Sequence, residues 1–542
     1  MATTAAGISS SGEFSANAVG TVRVFVADTL GNRAETVVQI NPALLLEPTN
    51  PTILFGHGFT FDASGGVLPY IFSANGGTID ASTGVYSADE VGMWTVTVTD
   101  AWGTTRNANV FVPQPGTLDA SYGTNGTVST AVGSGDDWAF DSVLTADNRL
   151  IVVGATIGGS SLPEVLVARF TSTGALDTSF GSPDGMGGRL GYITQAIGSG
   201  ATGLSVILDA NQRIVVGGWA DSLGDKDLLL MRLNADGTLD SSFNSGTPAT
   251  YDLGLSADES ANGVWVQEDG KLVAVGWADD GARRRVVILR VKDDGDLDSS
   301  FVDNGFLLEN PTYDAVAVGV HVTEEKRIVV GGYRDVGTPT DSEWVFTLSA
   351  YKEDGDIDTS FGEGGQTITR WNGGVNNADC MQSRAVGSDA LCAAQSLVPM
   401  LDGGFLLVGH VRLSGLDTAF AVSRYNKDGM PENAFANAGQ LIVDVGLGDQ
   451  AFDAVEQSDG RIVVVGSSQF AGSLDADFAL IRVDGAGVID TDFNGPRVFD
   501  LAWNLEDICY SVVQQPDERI VCAGVAQSSV INRDVQLMRI WP

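Results

Sequence analysis

Seven copies of a repeat, each about sixty residues long, constrain the fold of this chain more than any other feature. One phrase of the repeat is a polar turn that leads into an apolar strand, as in residues 269–276. The other phrase is a polar turn that ends in an aromatic residue, as in residues 294–301. The aromatic residues of the seven copies are Tyr122, Phe180, Phe243, Phe301, Phe361, Phe435 and Phe493. A repeat of nearly constant length predicts an array of similar units, each burying its apolar faces against its neighbours.

Each copy of the repeat is predicted to contribute four strands. In the sixth copy the predicted strands are residues 440–445, 451–457, 461–466 and 477–483. The unbroken apolar run in the third of these is typical of a strand covered on both faces. An open sheet built from all the strands of seven such copies is implausible, because open sheets rarely exceed about ten strands. The pattern therefore predicts an all-β fold, a seven-bladed β-propeller.

The two ends of the repeat array are expected to meet. Nothing after Trp541 can supply an outer strand for the last blade. We therefore predict that the strand near residues 126–132 pairs beside residues 535–540 and closes the ring, because this would leave no exposed sheet edge.

The repeated phrases resemble a known bacterial family. Gly-x-Leu-Asp-x-Ser-Phe-Gly and Asp-Gly-Arg-Ile-Val-Val-Val-Gly are similar to the delta-60 repeat of bacterial extracellular proteins, over about residues 116–541. The sixth copy departs from the pattern at Pro431-Glu432-Asn433-Ala434. The resemblance implies a repeat propeller outside the cell, and it transfers no catalytic residue to this chain.

A second, longer repeat precedes the propeller. Residues 12–40 recur as residues 84–112 with a constant offset of 72. Alternating residues in the second copy predict a half-buried strand and a hairpin, similar to short bacterial Ig-like β-sandwiches. The predicted domains are a partial Ig-like domain in residues 1–41, an Ig-like β-sandwich in residues 42–113 and the propeller in residues 114–542. We expect such a chain to be part of a longer surface protein or fibre.

The charge of the chain excludes some partners. With 69 acidic and 30 basic side chains, the net charge is −39. Such a surface would be repelled by nucleic acid and by anionic membranes. No apolar run is long enough for insertion into a membrane.

The four cysteines indicate the compartment. Cys380 and Cys392 lie in the one long insertion of the repeat, and a disulfide between them would favour an oxidising, extracellular environment. Cys509 and Cys522 are expected to remain thiols. In the predicted register Ala526 rather than Cys522 faces Cys509, which would place the two sulfurs too far apart to bond.

Catalytic motifs are scarce in this sequence. It has three histidines, in unrelated contexts, and no nucleophile elbow, zinc motif or phosphate-binding loop. His321 alternates with two valines in a predicted strand, so we interpret it as a structural residue. A binding function is preferred, although propeller enzymes can use dispersed carboxylates and arginines.

Two turns have the alternating aspartates of a calcium loop. They lack the glycine and the glutamate that complete a helix-loop-helix calcium site. The simpler interpretation is a local turn stabilised by aspartate, with no cofactor required and calcium as the alternative. The calcium candidates are Asp294, Asp296, Asp298, Asp354, Asp356 and Asp358.

The two faces of the predicted propeller differ. Both repeated phrases should lie on one face, which we expect to be structural, while irregular loops fill the opposite face. Four adjacent copies present a ring on the loop face, and aromatic rings beside carboxylates suit sugars. Packing between blades is the alternative explanation for these rings. The ligand-binding candidates, flanked by the loop 372–393, are Trp219, Trp277, Tyr333, His410, Asp221, Asp279 and Arg334.

These features favour a bacterial adhesin, secreted or on the cell surface. In this hypothesis Ig-like spacers present a propeller head that binds a glycan, a cell-surface protein or another surface ligand. One alternative is a polysaccharide lyase or hydrolase, which would need a deep central pocket with converging carboxylates and a base. Another alternative is a passive module for protein–protein assembly.

Overall fold

The computed structural model is all-β and divides into two units, Met1–Thr117 with Trp541 and Leu118–Ile540 with Pro542. Among the described residues only a helical turn, α1 (Val302–Gly305), and a 3-10 turn (Asn244–Gly246) interrupt the strands. No helix in this part of the chain is long and apolar enough to cross a membrane. The described residues are 6–16, 18–158, 161–222, 224–255, 257–371, 380–383, 390, 392–414, 417–469, 475–501, 505–529 and 532–542.

The first unit contains short antiparallel sheets, with a core formed by residues such as Tyr86, Val96 and Val110. Two of its hairpins have the same register with the offset of 72 seen in the sequence, since Gly20 faces Ile40 and Gly92 faces Val112. Its strands are β1 (Ala6–Ile8), β2 (Phe14–Ala16), β3 (Gly20–Ala27), β4 (Arg33–Ile40), β5 (Leu45–Glu47), β6 (Gly58–Thr60), β7 (Asp62–Ser64), β8 (Ile71–Ala74), β9 (Thr78–Ile79), β10 (Val85–Ser87), β11 (Gly92–Thr99) and β12 (Thr105–Val112).

The described residues of the second unit form seven antiparallel sheets with four main strands each. The strands of the first three complete sheets, after β13 (Thr127–Thr130), are β14 (Asp137–Leu144), β15 (Leu150–Ile157), β16 (Pro163–Phe170) and β17 (Tyr192–Gln195); β18 (Ala201–Leu208), β19 (Ile214–Asp221), β20 (Lys226–Leu233) and β21 (Ala249–Tyr251); β22 (Glu259–Val266), β23 (Leu272–Asp279), β24 (Arg284–Val291) and β25 (Phe306–Leu308).

The fourth sheet carries an additional short strand, β30 (Met381–Ser383), that pairs with β28 (Asp341–Tyr351). The remaining strands are β26 (Ala315–Val322), β27 (Ile328–Asp335), β28 (Asp341–Tyr351), β29 (Gln366–Thr369) and β30 (Met381–Ser383); β31 (Cys392–Pro399), β32 (Phe405–Ser414), β33 (Asp417–Tyr425) and β34 (Gln440–Val443); β35 (Leu447–Glu456), β36 (Ile462–Gln469), β37 (Asp477–Val483) and β38 (Arg497–Phe499); β39 (Asp507–Gln514), β40 (Ile520–Ser529) and β41 (Asn532–Ile540).

The first strands of the seven sheets contact one another in a closed cycle. We call these the inner strands: β14, β18, β22, β26, β31, β35 and β39. The hairpin after each inner strand and the turn after each third strand therefore lie at one end of the sheets, which we call the hairpin face. The opposite end, where the second strand turns into the third, is the loop face.

The last sheet is completed by the strand that begins the unit. β13 pairs with β41, with Thr127 opposite Met538 and Thr130 opposite Val535, while β39 occupies the other edge. This confirms the predicted ring closure. The grouping of strands differs from the prediction, because each outer strand belongs to the preceding sheet. Residues 440–443, for example, pair with β33 rather than with the strands of their own sequence copy.

An arginine recurs at one position of the repeat, and its contacts explain why the second phrase recurs. The recurring residues are Arg169, Arg232, Arg290, Arg424, Arg482 and Arg539. In the fourth copy, Arg290 Nε lies 2.8 Å from Asp298 Oδ2 and the guanidinium lies 4.7 Å from the centre of the Phe301 ring. The same guanidinium donates to the backbone carbonyl of Glu353 in the next copy. The ion pair and the cation–π contact thus hold the guanidinium within its own sheet, and its hydrogen bond to the Glu353 carbonyl links that sheet to the next one.

The fifth copy, which has Ala350 in place of this arginine, uses another residue for the same purpose. Arg327, from the hairpin before β27, places its Nε 2.7 Å from Asp358 Oδ2 and its guanidinium 5.4 Å from the centre of the Phe361 ring. The loss of one arginine in sequence is thus compensated from the adjacent strand.

The last sheet corrects the predicted cysteine register. Cys509 faces Gly524, not Ala526, because the hairpin turn pairs Gln515 with Arg519 and a β-bulge lies between Cys509 and Ser511. Cys522 is therefore a diagonal neighbour of Cys509 on the same face, and the Cys509 thiol donates to the Ser511 backbone carbonyl at 3.5 Å. Both cysteines are buried thiols, as predicted.

The long insertion of the fifth copy contains a disulfide. Cys380 and Cys392 are bonded, with their Cα atoms 5.6 Å apart, and both side chains are buried. The bond fastens the start of the inner strand β31 to the segment before β30.

Candidate functional site

The two predicted ligand-binding tryptophans lie on the loop face of separate sheets and are half-buried. Lys226 Nζ lies 4.5 Å from the centre of the Trp219 ring, and the Arg284 guanidinium lies 4.9 Å from that of Trp277. A cation from the following strand thus occupies a face of each ring, where a sugar would have to stack.

The other two predicted rings pack into the protein. Tyr333 contacts the Trp344 ring with centroids 5.9 Å apart and borders a buried core cluster. His410 is 9% exposed, and burial lowers its pKa to about 4, partly offset by a hydrogen bond with the Ala390 backbone. Packing therefore accounts for Tyr333 and His410.

The polar candidates beside these rings are engaged by nearby protein groups. Asp221 accepts hydrogen bonds from the Ser199 hydroxyl at 2.9 Å and the Gly224 amide at 3.0 Å. Asp279 accepts one from the Gly281 amide at 2.7 Å, and Arg334 lies 2.9 Å from Glu309. The described residues of the loop face thus do not direct these groups to one point. Residues 372–379, 384–389 and 391 of the predicted flanking loop lie outside the described residues.

The predicted calcium candidates lie in aspartate turns on the hairpin face. Asp294 accepts the Asp296 amide at 3.1 Å, and Asp354 accepts the Asp356 amide at 3.1 Å. The third aspartates, Asp298 and Asp358, form the ion pairs with Arg290 and Arg327 described above. Burial raises the pKa of Asp298, but the Ser300 hydrogen bonds and the Arg290 and Lys271 charges lower it to about 2. These bonds account for the alternating spacing.

A broad depression opens on the hairpin face, opposite the face that the sequence favours. Its volume is about 1020 Å³, and three successive hairpins supply most of its lining, at residues 266–269, 322–327 and 400–403. The turn that follows β33 contributes Lys427 and Asp428. The depression is therefore a feature of three adjacent sheets rather than of one repeat.

Trp265 and His321 form an aromatic pair in this depression. Trp265 lies at the hairpin end of β22, and His321 occupies the same position in β26. Their ring centroids are 4.4 Å apart in an edge-to-face arrangement. The Phe405 ring lies 5.9 Å from His321 on its other side. Burial lowers the pKa of His321, so its ring is neutral at pH 7. Both rings are half-buried, and the pair is held in place by packing.

The charged groups of the depression are predominantly acidic. Seven carboxylates face three cationic side chains, and two of the cations are already paired, Lys326 with Glu353 at 2.8 Å and Arg327 with Asp358 at 2.7 Å. The depression therefore offers hydrogen-bond acceptors in a negative potential. The carboxylates are Glu268, Asp269, Glu324, Glu325, Glu353, Asp402 and Asp428.

An axial cavity of about 430 Å³ lies between the inner strands, and Trp265 lines both it and the depression. Each inner strand has a β-bulge at the same level of this cavity. Bulges re-aim the side chains that follow them. The residues after the bulges are Asp141, Ser205, Gly263, Gly319, Ser396, Asp453 and Ser511.

The two aspartates of the axial cavity connect inner strands. Asp141 accepts the Val206 amide at 2.7 Å, and Asp453 accepts the Val512 amide at 3.0 Å. The Ser511 hydroxyl lies 3.2 Å from Asp141 and 3.4 Å from Asp453. Desolvation raises the pKa of Asp453 to about 6, and desolvation with repulsion from Asp453 raises that of Asp141 to about 7.

Comparisons with known proteins are consistent with this architecture. A family model described as "Domain of unknown function (DUF5122) beta-propeller" matches residues 145–180, 210–243, 267–301 and 457–493. No curated protein matches the chain.

Several solved structures are similar over much of the chain. A protein of unknown function from Dyadobacter fermentans is 12% identical, with 63% of this chain and 94% of that one covered and a TM-score of 0.36. Polysaccharide lyase Uly1 is 8% identical, covering 78% and 92%, with a TM-score of 0.39. An endo-arabinase from Bacteroides thetaiotaomicron is 11% identical, covering 52% and 94%, with a TM-score of 0.26. The four segments matched by the family model support a β-propeller family for this chain.

Proposed function

We propose that this protein is a carbohydrate-binding head, and that its ligand occupies the hairpin-face depression around Trp265. The observation that carries the proposal is the half-buried Trp265–His321 pair in a depression of about 1020 Å³. Pockets for small molecules are usually about 300–1000 Å³, so this depression suits an extended ligand such as an oligosaccharide segment.

The chemistry of the depression favours a neutral glycan. An indole ring offers a rigid apolar face for the C–H groups of a sugar, and carboxylates accept hydrogen bonds from its hydroxyls. Seven carboxylates against three cations would repel an anionic polymer. Neutral glycans are therefore the favoured class over uronic-acid or sulfated polysaccharides.

Binding is favoured over catalysis because the available carboxylates are already occupied. Asp141 and Asp453 each accept a backbone amide of the next inner strand and share the Ser511 hydroxyl. Their raised pKa values make a hydrolase the second candidate, since a carboxyl group that titrates near neutral pH can act as a general acid.

The repeats support a proposal for how the binding head is presented. In this proposal the seven sheets are the blades of a closed propeller of delta-60 repeats, preceded by Ig-like spacers in residues 1–113. The Cys380–Cys392 disulfide supports an extracellular or cell-surface location. The protein would then act as an adhesin that presents its head to a glycan or a glycosylated surface partner.

A glycan array followed by calorimetry tests the proposal. Trp265→Ala should weaken binding of a neutral glycan hit by about 1–3 kcal/mol, as for other aromatic anchors. Trp277→Ala is the matched control on the loop face, where the ring is also half-buried, and it should leave affinity unchanged.

The opposite result, with Trp277→Ala weakening and Trp265→Ala sparing the interaction, would place the ligand on the loop face. Cleavage of the hit by wild-type protein, lost in Asp141→Asn, would establish the hydrolase instead.

A further inference from the structure

Three carboxylates meet on the loop face between the second and third complete sheets. Asp227 lies at the start of β20, Asp252 follows β21, and Glu259 begins the inner strand β22. One oxygen atom from each lies within 4.8 Å of the others. Asp227 is 5% exposed and Glu259 is 1% exposed, whereas Asp252 is exposed. The cluster is thus open to solvent on one side and buried on the other.

Glu259 has no hydrogen-bond donor among the described residues of the protein. Both its carboxylate oxygens are buried without a partner. A buried carboxylate without a donor or a counter-charge is costly. Burial, followed by repulsion from neighbours that include Asp227 and Asp252, raises the pKa of Glu259 to about 8. The cluster therefore lacks positive charge at its buried end.

Equivalent strand positions elsewhere show how the fold normally satisfies such an acid. Asp137 begins β14 and accepts the Val132 amide at 2.7 Å and the Thr156 hydroxyl at 2.5 Å. Asp449, near the start of β35, accepts the Val445 amide at 2.6 Å. Loop amides turn toward these two carboxylates, and Glu259 instead faces two other carboxylates.

Lys226, the neighbour of Asp227 in the chain, is engaged by other groups. Lys226 places its Nζ 4.5 Å from the centre of the Trp219 ring and 3.7 Å from Asp258 Oδ2. Asp225 and Asp258 add further negative charge around Glu259. Among the described residues, no cation is thus paired with Glu259, and its charged neighbours are carboxylates.

We propose that Asp227, Asp252 and Glu259 bind one calcium ion. Calcium bonds to oxygen at about 2.3–2.6 Å, so two ligand oxygens on opposite sides of the ion stand up to about 5 Å apart. The oxygen separations in the cluster fall within this span. Magnesium needs bonds of about 2.0–2.1 Å in near-ideal octahedral geometry, and zinc favours nitrogen and sulfur, so an all-carboxylate set favours calcium.

The bound ion would fasten neighbouring sheets together. Asp227 lies in the third strand of one sheet and Asp252 directly follows its fourth strand, whereas Glu259 begins the inner strand of the next sheet. A related cluster of Asp477, Asp500 and Asp507 lies at the equivalent junction near the end of the ring. There Asp507 accepts the Leu501 amide at 2.7 Å, so the proposal rests on the Glu259 cluster. This site is on the opposite face from the proposed glycan site and is independent of it.

Calorimetric titration of CaCl₂ into EDTA-stripped full-length protein tests the site. Wild-type protein should bind calcium and gain thermal stability. Glu259→Gln and Asp252→Asn should each weaken this binding at least tenfold and remove most of the thermal shift. Asp449→Asn is the matched control, because its carboxylate is satisfied by backbone amides, and it should retain both.

Asp252→Asn decides the question if Glu259→Gln does not fold, because Asp252 is exposed. Unchanged calcium binding in the two cluster variants would overturn the proposal, and so would the absence of binding to wild-type protein at millimolar CaCl₂. An equal response to MgCl₂ would overturn the choice of ion.

Discussion

Removing the repeated arginine from one copy should lower the free energy of unfolding, and an arginine at the hairpin position used by the fifth copy should restore part of it. Arg290 is 2% exposed, and it donates to Asp298 at 2.8 Å and to the Ser300 hydroxyl at 3.2 Å. Arg290→Ala would leave the buried Asp298 carboxylate with Lys271, whose Nζ is 3.6 Å away, as its remaining cationic partner. Breaking one partner of a buried ion pair costs about 3–5 kcal/mol, and we expect a loss in this range.

The rescue follows from the fifth copy, in which an alanine and a hairpin arginine replace the usual pair. Lys271 occupies the hairpin position of Arg327, and Arg290 occupies the position of Ala350. The double variant Lys271→Arg/Arg290→Ala reproduces the fifth copy, so it should recover at least half of the lost stability. Lys271→Ala alone should cost less than about 1 kcal/mol, whereas Arg327→Ala should cost about 3–5 kcal/mol, because Asp358 relies on it.

Denaturant midpoints, followed by tryptophan fluorescence, measure these four variants. The acid dependence gives a second readout. The pKa of Asp298 is about 2 in the folded protein against 3.8 unfolded, so its contribution of about 2 kcal/mol is present above pH 4 and lost as the pH falls toward 2. Arg290→Ala should reduce this acid-dependent part. Equal losses in Lys271→Ala and Arg327→Ala, with no rescue by the double variant, would refute the reasoning.

Three further predictions concern other parts of the structure. In EDTA, the free energy of unfolding of the wild-type protein should fall by about 4 kcal/mol from pH 4.5 to 8, because folding raises the pKa of Glu259 from 4.5 to about 8. Glu259→Gln should not show this fall, and denaturant midpoints across pH measure the difference. Thiol counting on unfolded protein should find two free thiols without reductant and four with it, and replacing Cys380 and Cys392 by serine should cost about 3 kcal/mol; four thiols without reductant would exclude the disulfide. A chain that starts at residue 118 should stay monomeric in light scattering, whereas one that starts at residue 132 lacks β13, exposes the β41 edge and should aggregate.

The repeat made the strands and their closure predictable from sequence. The apolar run after each hairpin identifies the second strand of a sheet, and the missing outer strand of the last sheet predicts the pairing of β13 with β41. The recurrence of the arginine was also visible in the sequence, but its role and its partners were not. Such features are local or periodic, so they can be read along the chain.

The candidate sites could not be read in the same way, because they form between repeats. Trp265 and His321 are 56 positions apart, in strands whose alternation gives no sign of a shared cavity. The β-bulges, which change register in every inner strand, leave no clear signature in sequence. The sequence did carry one usable signal for Glu259. It begins an inner strand, and Asp137 and Asp507 occupy the same first position in two other inner strands.

The central claim is that the ligand binds on the hairpin face rather than on the loop face. Hydrogen–deuterium exchange with a bound neutral glycan tests this claim most directly. We expect the ligand to slow amide exchange in the hairpins at residues 267–271, 323–327 and 400–404, with little change in the loops at residues 219–226 and 277–284. Protection confined to those loops, with the three hairpins unchanged, would contradict it.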